Sequence, residues 1–135
     1  YRVLNRLIVK EIGGKEMETT ALKWVFYREV DVPRDIEEML VTGEVADRAF
    51  KTVRDVAVFT NKRLIVKDVQ GLTGTKVEMY SLPYSAVNMW STENAGILDY
   101  TAEVELWTRA GHIKIELKRG IDIREFERLL AEYIL

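Results

Sequence analysis

The alternation of apolar and polar positions is sharpest near the C-terminus. In "HIKIELK", Ile113, Ile115 and Leu117 fall on one face and His112, Lys114, Glu116 and Lys118 on the other, the period of two of a half-buried strand. "AEVELW" repeats the pattern with Val104 and Leu106 inward, and "RAGH" between them offers Gly111 for a hairpin loop. The period then changes. In "GIDIREFERLLAEYIL", Ile123, Phe126, Leu130, Tyr133 and Ile134 form one helical stripe, with Arg124 and Arg128 off it. Asp122 suits the N-cap, Glu125 completes a capping-box pattern, and Ile121 and Phe126 suit a hydrophobic staple. This predicts a helix with one face packed on a sheet.

Upstream, "DVAVFT", "RLIVKD", "KVEMYSL" and "AVNMWST" follow "VTGEVADRAF", separated by the breaks "TVR", "TNK", "QGLTG" and "PYS", with "ENAG" after the last. Short strands at spacings of about 8–12 residues, with turn signals between, indicate a barrel or sandwich. Residues 43–118 therefore read as seven strands closed by one C-terminal helix.

The hairpin "VFTNKRLIV" is apolar on both faces. With a two-residue turn at Asn61-Lys62, Phe59 pairs with Leu64 and Val58 with Ile65. Phe59, Leu64, Ala57 and Val66 then share one face, and Val58 and Ile65 the other. A three-residue loop regroups these residues but still leaves large apolar side chains on both faces. The second face needs a cover, which three things can supply: the N-terminal segment, the C-terminal helix or another subunit. The expected interface residues are accordingly Phe59, Ile65 and Val58, with a second subunit as the favoured cover.

Residues 1–36 read as an extension, partly helical. "KEMETTALKWVFYREV" fits a helix through Met17, Ala21, Trp24 and Arg28, although its centre "WVFY" favours a strand. Gly13-Gly14 marks a break, and "VPRDIEEML" suits a short helix opening near Pro33.

Composition narrows the function. A chain of 135 residues with 47% hydrophobic residues suits one domain with one core. No apolar run approaches the ~20 residues of a transmembrane helix, and no leader pattern is visible. The chain opens on Tyr1 rather than Met, which leaves room for residues upstream. Cysteine is absent, which removes thiolate chemistry and fits a reducing cytoplasm. A net charge of -2 gives no overall attraction to nucleic acid. Locally, Arg48, Lys51, Arg54, Lys62, Arg63 and Lys67 stand against Asp55 alone, a run of +5.

Candidate chemistry is sparse. His112 is the only histidine, on the polar side of a strand, so no two-histidine metal site exists. Ser81, Ser85 and Ser91 lie near turns without a nucleophile-elbow context. "QGLTGTK" has no helix after it and reads as a hairpin loop rather than a phosphate cradle. No cofactor, metal or catalytic residue is expected, and Trp90 and Trp107 read as packing residues rather than base-stacking platforms.

The pieces "AFK", "RD", "VFTNKRLI", "D" then "QGLTG", "K", "LPY" and "STENAG", in this order over residues 49–96, together with the terminal helix, resemble the bacterial pleckstrin-homology (PH-like) domain family, a group of largely unknown function. The resemblance covers residues 37–135, which are taken as the domain. It implies a mainly β fold with helices: a bent seven-stranded antiparallel barrel capped by the C-terminal α-helix. It also implies self-assembly, since similar proteins form ring-like homo-oligomers, and it implies no catalytic residues. Some eukaryotic relatives bind inositol phosphates through a Lys late in the first strand and a basic-x-Arg pattern in the second. Lys51 matches the first part, but "DVAVFT" carries no cation. An anion site is therefore reduced to Lys51, Arg54 and Lys62. The expected function is a non-enzymatic, self-assembling scaffold or protein-interaction module with an unidentified protein as a further partner. Peripheral contact with anionic lipid ranks behind it.

Overall fold

The structure, a computed structural model, describes residues 5–12, 15–94 and 101–135. Among the described residues, ten strands form two five-stranded sheets. Sheet I has the order β1-β2-β10-β9-β8, built from Asn5–Ile12, Lys15–Phe26, Gly111–Leu117, Ala102–Thr108 and Val87–Glu93. Sheet II has the order β3-β4-β5-β6-β7, built from Arg28–Val30, Ala46–Lys51, Asp55–Thr60, Arg63–Gln70 and Lys76–Pro83. Two α-helices accompany them among the described residues, α1 (Arg34–Glu37) and α2 (Ile123–Ile134). The seven strands expected between residues 43 and 118 are β4 to β10. The expected mainly β fold with a C-terminal helix is present, and among the described residues its bent barrel takes the form of two sheets rather than one closed one, the chain passing between them at Tyr27 and at the single turn Tyr84–Ala86.

The helix expected over "KEMETTALKWVFYREV" is instead β2 and β3. Leu22, Trp24 and Phe26 alternate toward the core, a period of two that a helix would scatter around its surface. β2 also gains a parallel partner in β10, with Trp24 opposite Ile115 and Phe26 opposite Leu117. Both sheets therefore include strands that precede residue 37. The short helix after Pro33 is present as α1. Gly13-Gly14 lies outside the described residues.

The main core fills the space between the sheets. Phe26, Phe50, Phe59 and Phe126 meet with ring centroids 5.5–6.3 Å apart, joining strands of both sheets to α2. Phe126, Leu129 and Leu130 are the buried residues of α2. Asp122 caps that helix by accepting from the Arg124 N–H at 2.9 Å. The capping box is incomplete, because Glu125 spends its carboxylate on Arg48 at 2.9 Å.

The β5–β6 hairpin takes the two-residue register, with Phe59 opposite Leu64 and Val58 opposite Ile65. Phe59 and Leu64 enter the main core. Val58 and Ile65, with Ala49 and Val56, form a second cluster closed by Ile36 of α1 and flanked by Val30, Val32 and Leu40. The cover for the second face is thus the chain's own N-terminal segment. Phe59, Ile65 and Val58 are all 0% exposed within one chain, so none is available as an interface residue.

Candidate interaction surface

The polar break of the "VFTNKRLIV" hairpin is a lock. Thr60 Oγ1 accepts from the N–H groups of Lys62 and Arg63, each at 3.0 Å, which shapes the turn. It also donates to Glu44 Oε2 at 2.7 Å. Arg63 grips the same carboxylate with two bonds, Nε to Oε2 at 2.8 Å and Nη2 to Oε1 at 3.0 Å. Asn61 completes the lock: its Oδ1 accepts from the Val45 N–H at 2.7 Å and its Nδ2 donates to the Gly43 carbonyl at 3.0 Å. Loop 41–45 is therefore pinned to the turn. The bond from Arg63, assisted by Thr60 and the Val41 N–H, lowers the Glu44 pKa to about 2 despite its burial.

The other cations of the basic run divide into two groups. Arg48 is held by Glu29 through two bonds of 2.6 and 2.8 Å and by Glu125. Lys67 is held by Asp35 at 2.7 Å and Asp55 at 3.2 Å. These partners raise the pKa of Arg48 and of Lys67, and lower that of Asp35. Lys51 and Lys62 make no ion pair among the described residues. Arg54 reaches the Val69 carbonyl at 3.5 Å.

The three expected anion-site residues do not converge. Lys51 and Arg54 flank the β4–β5 turn, whereas Lys62 sits in the β5–β6 turn at the far end of β5. A strand rises about 3.3 Å per residue, so β5 holds Lys62 roughly 20 Å from the other two. A cleft of about 90 Å³ lies where β4 meets the start of α2, lined by Arg48 with Glu29, Asp122 and Glu125. Three carboxylates around one already paired guanidinium make it a poor anion receptor.

One end of sheet II is different. The register sets Arg28 opposite Lys51 in a row with Val56, Lys67 and Met79, Asp55 with Asp68 and Glu78 in the next, and Gln70 opposite Lys76 two positions farther out as the last row. From these rows project the β4–β5 and β6–β7 turns, tied together by the Val69 N–H donating to the Arg54 carbonyl at 3.4 Å. Leu72, at the tip of the second turn, is 103% exposed; Val53 in the first is 48% exposed and Val77 at the base of the second 50%. Tyr27 lies at the β3–β4 edge of the same sheet, its N–H donating to the Lys51 carbonyl at 2.8 Å. Arg28, Lys51 and Lys76 make no ion pair among the described residues. Of this surface, sequence reasoning found Lys51 and Arg54 and missed Tyr27, Arg28, Val53, Leu72, Lys76 and Val77. The available signal was an apolar residue inside a break, Val53 in "TVR" and Leu72 in "QGLTG", where turns are ordinarily polar.

Elsewhere the polar groups serve packing. His112 Nε2 lies 2.9 Å from Glu105, with its ring stacked on Trp107. Trp90 Nε1 and Thr92 Oγ1 donate to Glu127, tying α2 to β8. Tyr133 donates to Asp47 and stacks between Phe59 and Tyr84, tying the helix's other end to sheet II. Among the described residues no cluster of His, Asp or Glu is placed to hold a metal, and no helix is long and apolar enough to cross a membrane.

Comparison with known proteins places this architecture. The family model described as bacterial PH domain matches residues 17–134. The uncharacterized protein YjqA of Bacillus subtilis is 37% identical over 103 residues, covering 74% of this chain and 82% of its own length. The uncharacterized YozO of the same organism is 29% identical, covering 75% and 88%. Among solved structures, a DUF1696 family protein with a pleckstrin-homology domain from Shewanella loihica is 36% identical with a TM-score of 0.72, covering 79% of this chain and 96% of that one. A pleckstrin homology domain from Shewanella amazonensis is 41% identical with a TM-score of 0.61, covering 75% and 83%.

Proposed function

The chain belongs to the bacterial PH domain family, and from that premise and the geometry above we propose that it is a non-enzymatic docking module. The observation that carries this reading is the end of sheet II, where Val53, Leu72 and Val77 are exposed on and beside two turns that the Val69–Arg54 backbone hydrogen bond ties together. Exposed apolar groups gathered in this way mark interaction surfaces. The non-enzymatic part is supported by how the carboxylates are used: Glu44, Glu29, Glu125, Asp35 and Glu127 are each committed to a structural partner. The cysteine-free composition supports a cytoplasmic setting. The test is native sedimentation from a lysate of cells making either the parent chain or a Val53→Ser, Leu72→Ser, Val77→Ser variant. The parent is expected to travel with a larger body and the variant at its own mass of 15.7 kDa. Identical sedimentation of the two would remove the reading.

Self-assembly is the second reading. It no longer draws on the second face of the hairpin, which α1 covers. It is favoured by β7 and β8, each hydrogen-bonded on one side only among the described strands, and by Met89 on β8, 55% exposed. Light scattering of the purified chain at micromolar concentration decides it: a single species of 15.7 kDa would rule it out.

A further inference from the structure

β8 ends sheet I with one edge unpaired among the described strands, and α2 packs beside it. The helix runs antiparallel to the strand. In its first half Glu127 accepts from Trp90 Nε1 and Thr92 Oγ1, each at 3.1 Å, and farther on Tyr133 stacks on Tyr84 just ahead of β8. Between strand and helix lies a cleft of about 160 Å³, lined by Thr92, Asn94, Ile123, Arg124 and Glu127. Trp90 and Thr92 are half-buried on the helix side of β8, whereas Met89, Ser91 and Glu93 occupy its outward phase and are exposed.

Arg124 lines the cleft, and Arg128 follows one turn later on the same side of the helix. Both are exposed, and neither makes an ion pair among the described residues. The nearby Glu127 carboxylate is already engaged by Trp90 and Thr92. Two unpaired guanidiniums beside an open strand edge suit an extended chain that carries carboxylates. Residues four apart on a helix are separated by about 6 Å along its axis, and alternate residues of a strand by about 6.7 Å. Carboxylates at alternate positions of an extended segment therefore reach both arginines from one face. Its backbone pairs with β8, and its other face passes Met89, which is 55% exposed.

Beyond the docking at the end of sheet II, we propose that the groove between β8 and α2 binds an extended peptide segment with acidic residues at alternate positions, added as a further strand to sheet I and held by Arg124 and Arg128.

The experiment is fluorescence anisotropy at low salt with a labelled peptide of alternating valine and glutamate, about eight residues long to match β8. The parent is expected to bind it, and to bind more weakly as salt rises, because exposed charges are screened. Alternating valine and lysine should not bind. Nor should the same valines and glutamates ordered in pairs, or the alternating acidic peptide N-methylated along its backbone. Arg124→Gln and Arg128→Gln should each weaken binding about three- to fivefold, and Leu72→Ser, at the end of sheet II, not at all. Both arginines are at the surface, so unchanged thermal melts are expected to confirm intact folds. A parent that leaves the alternating acidic peptide free overturns the proposal. So does equal binding of the paired-order or N-methylated peptide, or binding that survives both arginine substitutions. If the peptide is ignored by a chain that scatters as an oligomer, the β8 edge belongs to a second copy and the peptide assignment falls. The sedimentation test on Val53, Leu72 and Val77 stands apart from each of these outcomes.

Discussion

Glu44→Gln removes one charge from the lock at the hairpin turn while keeping the shape of the side chain. The Glu44 side chain is fully buried, gripped by Arg63 and Thr60, and its pKa falls from 4.5 to about 2. A shift of that size corresponds to roughly 3 kcal/mol of stabilisation. Arg63 is 21% exposed, so solvent screening trims this toward about 2–3 kcal/mol. The sign follows from the depressed pKa. Above 4.5 both folded and unfolded states carry the carboxylate and the stabilisation is complete. As pH falls toward about 2 the unfolded chain takes up the proton first, and the advantage is lost. Urea unfolding of the parent and the Gln variant, from neutral pH down to about pH 2, should therefore show two stability curves that converge as pH falls. The reverse cut is harsher: Arg63→Met strands a buried carboxylate and should cost about 3–5 kcal/mol. Adding Glu44→Gln to Arg63→Met should recover part of that loss. A parent-to-Gln difference that stays constant across the acid range, or no recovery in the double variant, would refute the assignment of the lock's stability to this ion pair.

Two further outcomes test the packing. Ile36→Ala opens the second cluster where α1 closes over Val58 and Ile65, and chemical denaturation should report a loss of about 2–5 kcal/mol. Phe59→Asp places a charge among Phe26, Phe50 and Phe126, so circular dichroism should show an unfolded chain rather than a folded, dissociated one.

The elements legible in the sequence were those whose pattern matched their burial. β9 and β10 each bury one face, so Val104, Leu106, Ile113, Ile115 and Leu117 declared themselves by alternation. α2 declared itself by its stripe and by Asp122. β2 was harder. Met17, Ala21 and Trp24, with Arg28 just beyond it, also satisfy a helical spacing, and what decides is the parallel pairing to β10, a contact across some ninety positions that local spacing does not encode. The hairpin's register was legible because Asn61-Lys62 allows a two-residue turn. Its second face was legible as apolar, but its cover was not: Ile36 lies in a segment read separately, and only the tertiary fold lays α1 across β5 and β6. The candidate surface was legible only in fragments, because Arg28, Lys51, Val53, Leu72 and Lys76 are brought together by sheet order rather than by spacing.

The basic run from Arg48 to Lys67 shows why a local charge count misleads here. Its +5 is a property of the string. In the fold, Glu44 answers Arg63, Glu29 and Glu125 answer Arg48, and Asp35 and Asp55 answer Lys67. All of these carboxylates except Asp55 lie outside the run, and Glu125 comes from the far end of the chain. The answered cations sit between neighbouring segments, where an unpaired charge would be costly, so they are structural by position. Lys51 and Lys62 escape pairing because each lies where a strand meets a turn, with water on the outer side. Of these two ends, only the one at Lys51 combines further unpaired cations, Arg28 and Lys76, with a fully exposed Leu72. A surface leucine confers nothing on the folded state, and exchanging it for Ser should leave stability within about 0.5 kcal/mol. Its position on a projecting turn, with Val53 and Val77 also exposed at that end, therefore calls for an explanation outside the folded chain, which is why that end of sheet II, rather than the more basic stretch of sequence beside it, is assigned the docking role.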